Sequence, residues 1–249
     1  MTAPALVALA QGGRDPRSAR TVKALVGQVH GTRPDLRVEP AFLEHSHPSL
    51  DTVVDRLVGT GTDEVVVVPL SLTEHHHAHR GTDVAAALSR VAQRHPTLRI
   101  RATGPLGLEP VFLEVLDRRL RAALSHARIR ELDALVLAAE GSSDALANHA
   151  VTRLARLWGS THRLPTVAAY ASAAPPATGE AVRQFRAEGR RHVAVGSLML
   201  TPGPLSDRAA ELALEAGAIA VSEPLGADPE VARTILARYA VGAVELVPV

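Results

Sequence analysis

The sequence predicts an α/β fold with two similar halves, each an open parallel sheet with helices on both faces. Three observations support this prediction. Short apolar segments alternate with longer segments of helical spacing, which is typical of β–α–β units. One apolar segment, Val65–Val68, is continuous and β-branched, as in a strand buried on both faces. The pattern then begins again in the second part of the chain, which indicates an internal duplication.

The first two strand and helix pairs lie between residues 5 and 61. ALVALA (5–10) predicts a strand because it is apolar and is followed by a glycine turn. SARTVKALVGQVH (18–30) has apolar residues at helical spacing. RVEPAFLE (37–44) predicts the second strand, and SLDTVVDRLVGTG (49–61) a helix that ends at glycine. The N-terminus carries no basic residue before its short apolar stretch, so we expect a strand there and no signal peptide.

The next two pairs complete the first half. DEVVVVPLSL (63–72) predicts the third strand, and VAAALSRVAQRH (84–95) a helix. LRIRATGPLG (98–107) predicts the fourth strand, and EPVFLEVLDRRLRAALSHA (109–127) a long helix. The order βαβαβαβα is typical of an open parallel sheet covered by helices on both faces.

The repeat is visible residue by residue. Residues PALVALAQGGRDPRSAR (from Pro4) align with DALVLAAEGSSDALANH (from Asp133), an offset of 129. We extend this offset to VEPAFLE (from Val38) and VAAYASA (from Val167), and then drop one residue before the third strands. The predicted domains are residues 1–128 and 129–249, with a cleft between them. Ligands of such sheets bind at the carboxyl ends of the strands.

Composition excludes several classes of protein. A net charge of +1 with 21% charged residues argues against binding to a nucleic-acid backbone and gives no sign of a membrane surface site. No segment approaches the roughly 18 apolar residues of a membrane span. We therefore expect a cytoplasmic protein with neither a nucleic-acid nor a membrane partner. The chain has no cysteine, so a metal would be held by His, Asp, Glu or water.

Histidines are concentrated after two of the predicted strands. The cluster after the third strand consists of His75, His76, His77 and His79. In an extended chain His75, His77 and His79 would share one face, and His76 would point away from them into solvent. His45 and His47 follow the second strand and also share a face. Two interpretations remain open at this point: a solvated polar loop, or a site for a borderline metal ion.

Three motifs resemble the sirohydrochlorin chelatases, the cobaltochelatase and ferrochelatase group of the CbiX/SirB type. They are LVALAQGGRDPRSART, AFLEHSHPSL and VVVVPLSLTEHHHAHRGTDV, and the resemblance extends over the long, duplicated form of the family. It implies a chelatase-like fold, with two flavodoxin-like or Rossmann-like halves that face each other across a cleft. It also implies the insertion of Co²⁺ or Fe²⁺ into a tetrapyrrole, without ATP or another nucleotide. Sirohydrochlorin is the implied substrate, on the way to cobalamin or sirohaem.

The resemblance carries over to individual residues, with one important departure. His77 lies where the family has its second active histidine, eight residues after Pro69, and Glu44 matches the glutamate after the second strand. Gln11 occupies the position of the metal-binding histidine of the family's first loop. The family's aspartate four residues beyond the second histidine is Gly81 here. In the second half the equivalents of Gln11 and His77 are Glu140 and Leu205, so we expect no second metal site there.

We hypothesise that the metal site has been rebuilt from the added histidines. The predicted metal ligands are His77, His75, His79, His45, His47 and Glu44, and the predicted catalytic residues are His77, Glu44 and Gln11. The candidate contacts to the substrate are Gly12, Gly13, Arg14 and Arg80. Structural alternatives exist for several of them, since glycines serve tight turns and Asp15 is placed to cap the helix that follows.

Two functions of different classes fit these residues. One is a sirohydrochlorin chelatase that uses Co²⁺ or Fe²⁺, with Ni²⁺, Zn²⁺ or another tetrapyrrole as variants. The other is a non-catalytic protein that binds or delivers metal, which the glutamine at position 11 favours. For either function we expect a monomer or a homodimer.

Overall fold

A computed structural model describes residues 3–73, 84–129 and 131–246 of the chain. Within these residues strands and helices alternate from end to end, which confirms the predicted α/β class. The first eight elements are β1 (Ala5–Ala10), α1 (Pro16–Thr32), β2 (Val38–Phe42), α2 (Leu50–Gly59), β3 (Glu64–Pro69), α3 (Val84–Arg94), β4 (Arg99–Ala102) and α4 (Val111–His126). The next eight are β5 (Ala134–Ala139), α5 (Ala145–His162), β6 (Thr166–Tyr170), α6 (Thr178–Ala187), β7 (Val193–Leu198), α7 (Pro204–Glu215), β8 (Ala220–Val221) and α8 (Pro229–Leu246).

The strands form two four-stranded sheets in which all described pairs are parallel. The first sheet has the order β2-β1-β3-β4, and the second repeats it as β6-β5-β7-β8. The two middle strands of each sheet, β1 with β3 and β5 with β7, are buried along their whole length. Burial on both faces explains why these strands are mainly apolar and do not alternate between apolar and polar residues.

The core of each unit is built from small and branched aliphatic side chains. In the first unit Val7, Leu9 and Val67 pack against Leu57 of α2 and Val91 of α3. In the second unit the corresponding cluster lies between β5, β7 and helix α6. Each fully buried Val or Leu side chain contributes about 1.5–3 kcal/mol, so a core with few aromatic residues is sufficient.

The compact units differ from the predicted domains 1–128 and 129–249. One unit comprises Met1–Gly107 with Ala227–Val249, and the other Leu108–Gly226. Helix α8 is fastened to the first unit, where Arg238 donates a hydrogen bond to the Leu106 carbonyl oxygen at 2.9 Å. Helix α4 is fastened to the second unit, where the Asp117 carboxylate accepts a hydrogen bond from Trp158 Nε1 at 2.7 Å. The sequence repeat therefore ends after α4, whereas the packing places α4 with the second sheet and α8 with the first.

The register of the repeat also differs from the predicted one at the second strands. Leu6 pairs with Val38, and Leu135, its equivalent at offset 129, pairs with Thr166. Val38 is therefore equivalent to Thr166, at offset 128, and the predicted match with Val167 is wrong by one residue. The dropped residue lies earlier, in the helix and connection ahead of β6.

Among the helices of the described ranges, none combines the length and the apolarity needed to cross a membrane.

Candidate functional site

Gln11 and Glu44 lie side by side at the carboxyl end of the first sheet. Strands β1 and β2 end together at the pair Ala10 and Phe42. Two backbone hydrogen bonds continue the ladder beyond them: Leu43 N donates to Ala10 O at 3.0 Å, and Glu44 N donates to Gln11 O at 2.8 Å. The loops after β1 and β2 are thus in direct contact at this edge of the sheet.

Gly12 is required by the close approach of these two loops. Its φ is +86°, in the left-handed region, and a Cβ atom on it would lie 2.0 Å from the Glu44 carbonyl oxygen. Gly13 has open space at the same position. The backbone geometry thus accounts for Gly12 without a ligand, and its predicted contact with the substrate remains a prediction.

Glu44 and His45 form the best-defined pair of candidate metal ligands in the described part of the chain. The Ser46 amide donates to the Glu44 carbonyl oxygen at 2.5 Å, which closes a three-residue turn with His45 at its apex, at φ 53°. His45 Nε2 lies 3.6 Å from Glu44 Oε2. The two side chains are 49% and 31% exposed, respectively, so both remain accessible to a metal ion. His47, two residues later, is also exposed.

The histidine cluster predicted after β3 lies outside the described residues. It comprises His75, His76, His77 and His79, and the candidate Arg80 lies outside them as well. Strand β3 itself ends beside β1, because Leu9 pairs with Pro69 and the Leu70 amide donates to Leu9 O at 2.8 Å. Within residues 3–73, 84–129 and 131–246, no group of three or more His, Asp or Glu side chains is arranged to hold a metal ion.

Asp15 has the structural role that the sequence suggested. Its carboxylate caps α1 by accepting a hydrogen bond from Arg17 N at 2.8 Å, and it forms an ion pair with the Arg17 guanidinium at 2.6 Å. The hydrogen bonds from Arg17 lower the pKa of Asp15 below its usual value. Arg14, the candidate contact to a substrate carboxylate, is exposed on the same loop.

Ser46 is a residue of this edge that sequence reasoning missed. Its Oγ accepts a hydrogen bond from Gly13 N at 3.1 Å and donates one to Gly13 O at 2.9 Å. A single hydroxyl thereby joins the loop after β1 to the loop after β2. The internal repeat could have indicated Ser46. In the register of the structure Ser46 aligns with Ala174, so the hydroxyl is present in the first unit and absent at the equivalent position of the second.

The second unit has the same loop backbone with different side chains. Gly141 has φ +87°, and a Cβ on it would lie 2.0 Å from the Ser172 carbonyl oxygen. Ala173 takes the apex of the equivalent turn at φ 61°, and Ala174 N donates to Ser172 O at 2.8 Å. The positions of Gln11, Glu44, His45 and His47 are occupied by Glu140, Ser172, Ala173 and Pro175. Histidine is thus present at this edge of the first unit and is replaced at the equivalent positions of the second.

Comparison with known proteins gives relatives for both halves. The family model CbiX matches residues 5–123 and again residues 134–241. A sirohydrochlorin cobaltochelatase of Priestia megaterium is 25% identical over 203 residues, which are 81% of this chain and 65% of that protein. A sirohydrochlorin ferrochelatase of Bacillus subtilis is 31% identical over 122 residues, 48% of this chain and 44% of that protein. The match thus spans less than two thirds of either relative.

A solved structure shows the same fold over nearly the whole chain. SirB from Bacillus subtilis with Fe³⁺ superposes with a TM-score of 0.81 and 22% identity, covering 98% of this chain and 96% of that one. Both halves of the sequence match one family, and the two sheets repeat one strand order. The chain belongs to the CbiX family.

Proposed function

We propose that this chain is a sirohydrochlorin chelatase that inserts Co²⁺ or Fe²⁺ into the tetrapyrrole without a nucleotide. The observation that carries the proposal is the match of the CbiX family to both halves of the chain. Its relatives include a cobaltochelatase and a ferrochelatase, so either ion is a candidate substrate, and Ni²⁺ and Zn²⁺ are alternatives. The proposed setting is the cytoplasm, and the proposed assembly is a monomer or a homodimer.

The reaction sets two requirements for the site. A divalent ion replaces two pyrrole N–H protons of the macrocycle, so the protein must hold the ion and then release it, and must accept two protons. Imidazole nitrogens and carboxylate oxygens suit both tasks, since they bind borderline metal ions and accept protons. Glu44 and His45, 3.6 Å apart and accessible, supply one group of each kind.

We assign the metal substrate to the first unit. The proposed ligands are His77, His75, His79, His45, His47 and Glu44, with Gln11 contributing a hydrogen bond or a carbonyl oxygen. Support comes from the contact between the loops that carry Gln11 and Glu44, and from the end of β3 beside β1. His77 and Glu44 are proposed as the bases.

The macrocycle is proposed to bind next to the metal. Sirohydrochlorin carries carboxylates, for which guanidinium groups are suitable partners because they can donate two parallel hydrogen bonds. Arg14 and Arg80 are the proposed partners, and the backbone of Gly12 and Gly13 offers a surface without side chains for close approach.

The test is a direct assay of metal insertion. Purified protein, sirohydrochlorin and Co²⁺ are mixed anaerobically, and the absorption spectrum of the macrocycle is followed against a mixture that lacks protein. We expect a rate well above this background, first order in protein. A rate equal to the background with Co²⁺, Fe²⁺, Ni²⁺ and Zn²⁺ would rule out the chelatase activity.

A non-catalytic role in metal binding or delivery is the second candidate. It is favoured by Gln11, which stands where the family motif has a metal-binding histidine. The same experiment distinguishes the two functions when it is combined with a calorimetric metal titration. A delivery protein would bind Co²⁺ and leave the rate of insertion at the background value.

A further inference from the structure

The backbone of Gly13 is bound by a residue of the neighbouring loop. Its N–H and its carbonyl oxygen both pair with the Ser46 hydroxyl, at 3.1 and 2.9 Å, across 33 residues of sequence. The first of the two joined loops carries Gln11 and the second carries Glu44 and His45. The hydroxyl therefore joins the two loops that carry the candidate metal ligands.

The second unit satisfies the same backbone groups in another way. Ser142 is the equivalent of Gly13, and its N–H donates to Asn148 Oδ1 at 3.0 Å. Asn148 Nδ2 in turn donates to the Ser142 carbonyl oxygen at 2.6 Å. Asn148 belongs to α5, the helix that follows directly, so this loop is fastened to its own helix. In the first unit the position of Asn148 is occupied by Ala19.

The side-chain hydrogen bond that joins the two loops comes from different positions in the two units. In the second unit Ser172 Oγ donates to the Glu140 carbonyl oxygen at 3.0 Å. Ser172 is the equivalent of Glu44, so there a hydroxyl at this position joins the loops. In the first unit the link is made two residues later, by Ser46, and position 44 carries an accessible carboxylate.

We propose that Ser46 is a positioning residue for the metal substrate. Its hydroxyl holds the loop of Gln11 against the turn of Glu44 and His45. The distance between the ligands on the two loops is thereby kept constant. The proposal rests on the proposed function, since it takes the divalent ion as the ligand. A turn with the same backbone forms in the second unit with Ala174 at this position, which shows that the turn itself does not need the hydroxyl.

The first test compares Ser46→Ala with a matched control in the same loop. Ser49→Ala removes the hydroxyl that caps α2, where Ser49 Oγ accepts a hydrogen bond from Thr52 N, and leaves Gly13 untouched. Each variant is expected to lower the thermal midpoint by about 2–4 °C. Calorimetric titration should show Co²⁺ affinity about 10-fold weaker for Ser46→Ala, in line with the loss of a residue that orients a ligand, and unchanged for Ser49→Ala. Ser46→Thr, which keeps the hydroxyl, should retain the affinity.

The second test separates positioning from simple satisfaction of the Gly13 backbone. The double variant Ala19→Asn/Ser46→Ala places an amide where the second unit has Asn148, so Gly13 can pair with its own helix. We expect the thermal midpoint to recover and the Co²⁺ affinity to stay about 10-fold weaker. Recovery of both would overturn the proposal, because Ser46 would then only satisfy Gly13.

Failure of this proposal is distinguishable from failure of the chelatase function. Wild-type affinity for Co²⁺ in Ser46→Ala overturns the positioning role, whatever the rate of insertion. Absence of insertion by the wild-type protein, with Co²⁺ still bound and the affinity of Ser46→Ala reduced, overturns the chelatase function and keeps the positioning role.

Discussion

The loops after β1 and β2 have the same backbone as the loops after β5 and β6, and the two pairs differ in their chemistry. In each unit the first of these loops contains a glycine at positive φ whose Cβ position is blocked by a carbonyl oxygen of the second loop, and the second loop contains a three-residue turn with a non-glycine residue at positive φ. The apex of that turn is His45 in the first unit and Ala173 in the second. Unusual backbone conformation therefore belongs to the fold and does not by itself mark a site. Our proposal that the first unit holds the metal rests instead on the carboxylate and the imidazoles that only this unit carries at these positions.

The largest difference between the units should appear at the position of His77. We expect His77→Ala to lower the insertion rate by about 100-fold or more, as is typical when an acid–base group is removed. Its counterpart Leu205, 38% exposed near the start of α7, should tolerate alanine with a rate within twofold of wild type. Steady-state rates of insertion for the two variants provide the measurement. Equal losses would mean that both units take part in the chemistry.

Alanine at either of the two close-approach glycines should destabilise the protein. In Gly12→Ala and Gly141→Ala the new Cβ meets a carbonyl oxygen at 2.0 Å, and each φ lies in the left-handed region. We expect each variant to lose at least about 1–3 kcal/mol of unfolding free energy, measured by urea denaturation.

The same pair also distinguishes the units by function. Gly12→Ala separates the loops of Gln11 and Glu44, so its folded fraction should bind Co²⁺ more weakly. Gly141→Ala should bind Co²⁺ with wild-type affinity. Weaker binding by both variants would argue against a site confined to the first unit.

A smaller effect is expected from restoring the family's histidine. Gln11→His places an imidazole beside Glu44 and should raise the affinity for Co²⁺ severalfold, because imidazole is a better ligand for this ion than an amide. Glu140→His, at the equivalent position of the second unit, should leave the affinity unchanged. Loss of Co²⁺ binding in Gln11→His would show that the glutamine is itself part of a specialised site.

The smallest effect concerns the stability of the second unit alone. Thr178, the first residue of α6, is fully buried, and its hydroxyl has no hydrogen-bond partner among the described residues. The equivalent residue of the first unit is Leu50. Thr178→Val removes the unpaired hydroxyl and should stabilise the fold by about 1 kcal/mol, or about 2–4 °C in thermal midpoint. A lower midpoint would indicate that the hydroxyl is satisfied in solution, and Leu50→Thr serves as the reciprocal control.

The elements of the fold could be predicted because their signals are local. The run of valines at 65–68 is buried on both faces within β3. The second helix, predicted to end at a glycine, ends at Gly59. The partner of the fourth helix could not be predicted in this way. An amphipathic pattern shows that α4 buries one face, and it does not show that this face packs on the second sheet.

The candidate site was only partly predictable for a similar reason. Glu44 and His45 could be proposed as candidates because their residue types carry metal and proton chemistry. Ser46 was not found, because a serine is common in loops and its bonds to Gly13 span 33 residues. The alignment of β6 with β2 was wrong by one residue, because short apolar strands can be aligned in two registers. The difference between Ser46 and Ala174 was therefore not visible in the predicted repeat.

The central claim is that the metal substrate is held by the first unit. It is tested most directly by calorimetric titration of Co²⁺ into wild type, Glu44→Gln/His45→Ala and Glu140→Gln. We predict one ion per chain for wild type, an affinity at least about 10-fold weaker for the first-unit variant, and an unchanged affinity for Glu140→Gln. Retained affinity in Glu44→Gln/His45→Ala, or a loss in Glu140→Gln, would contradict the account.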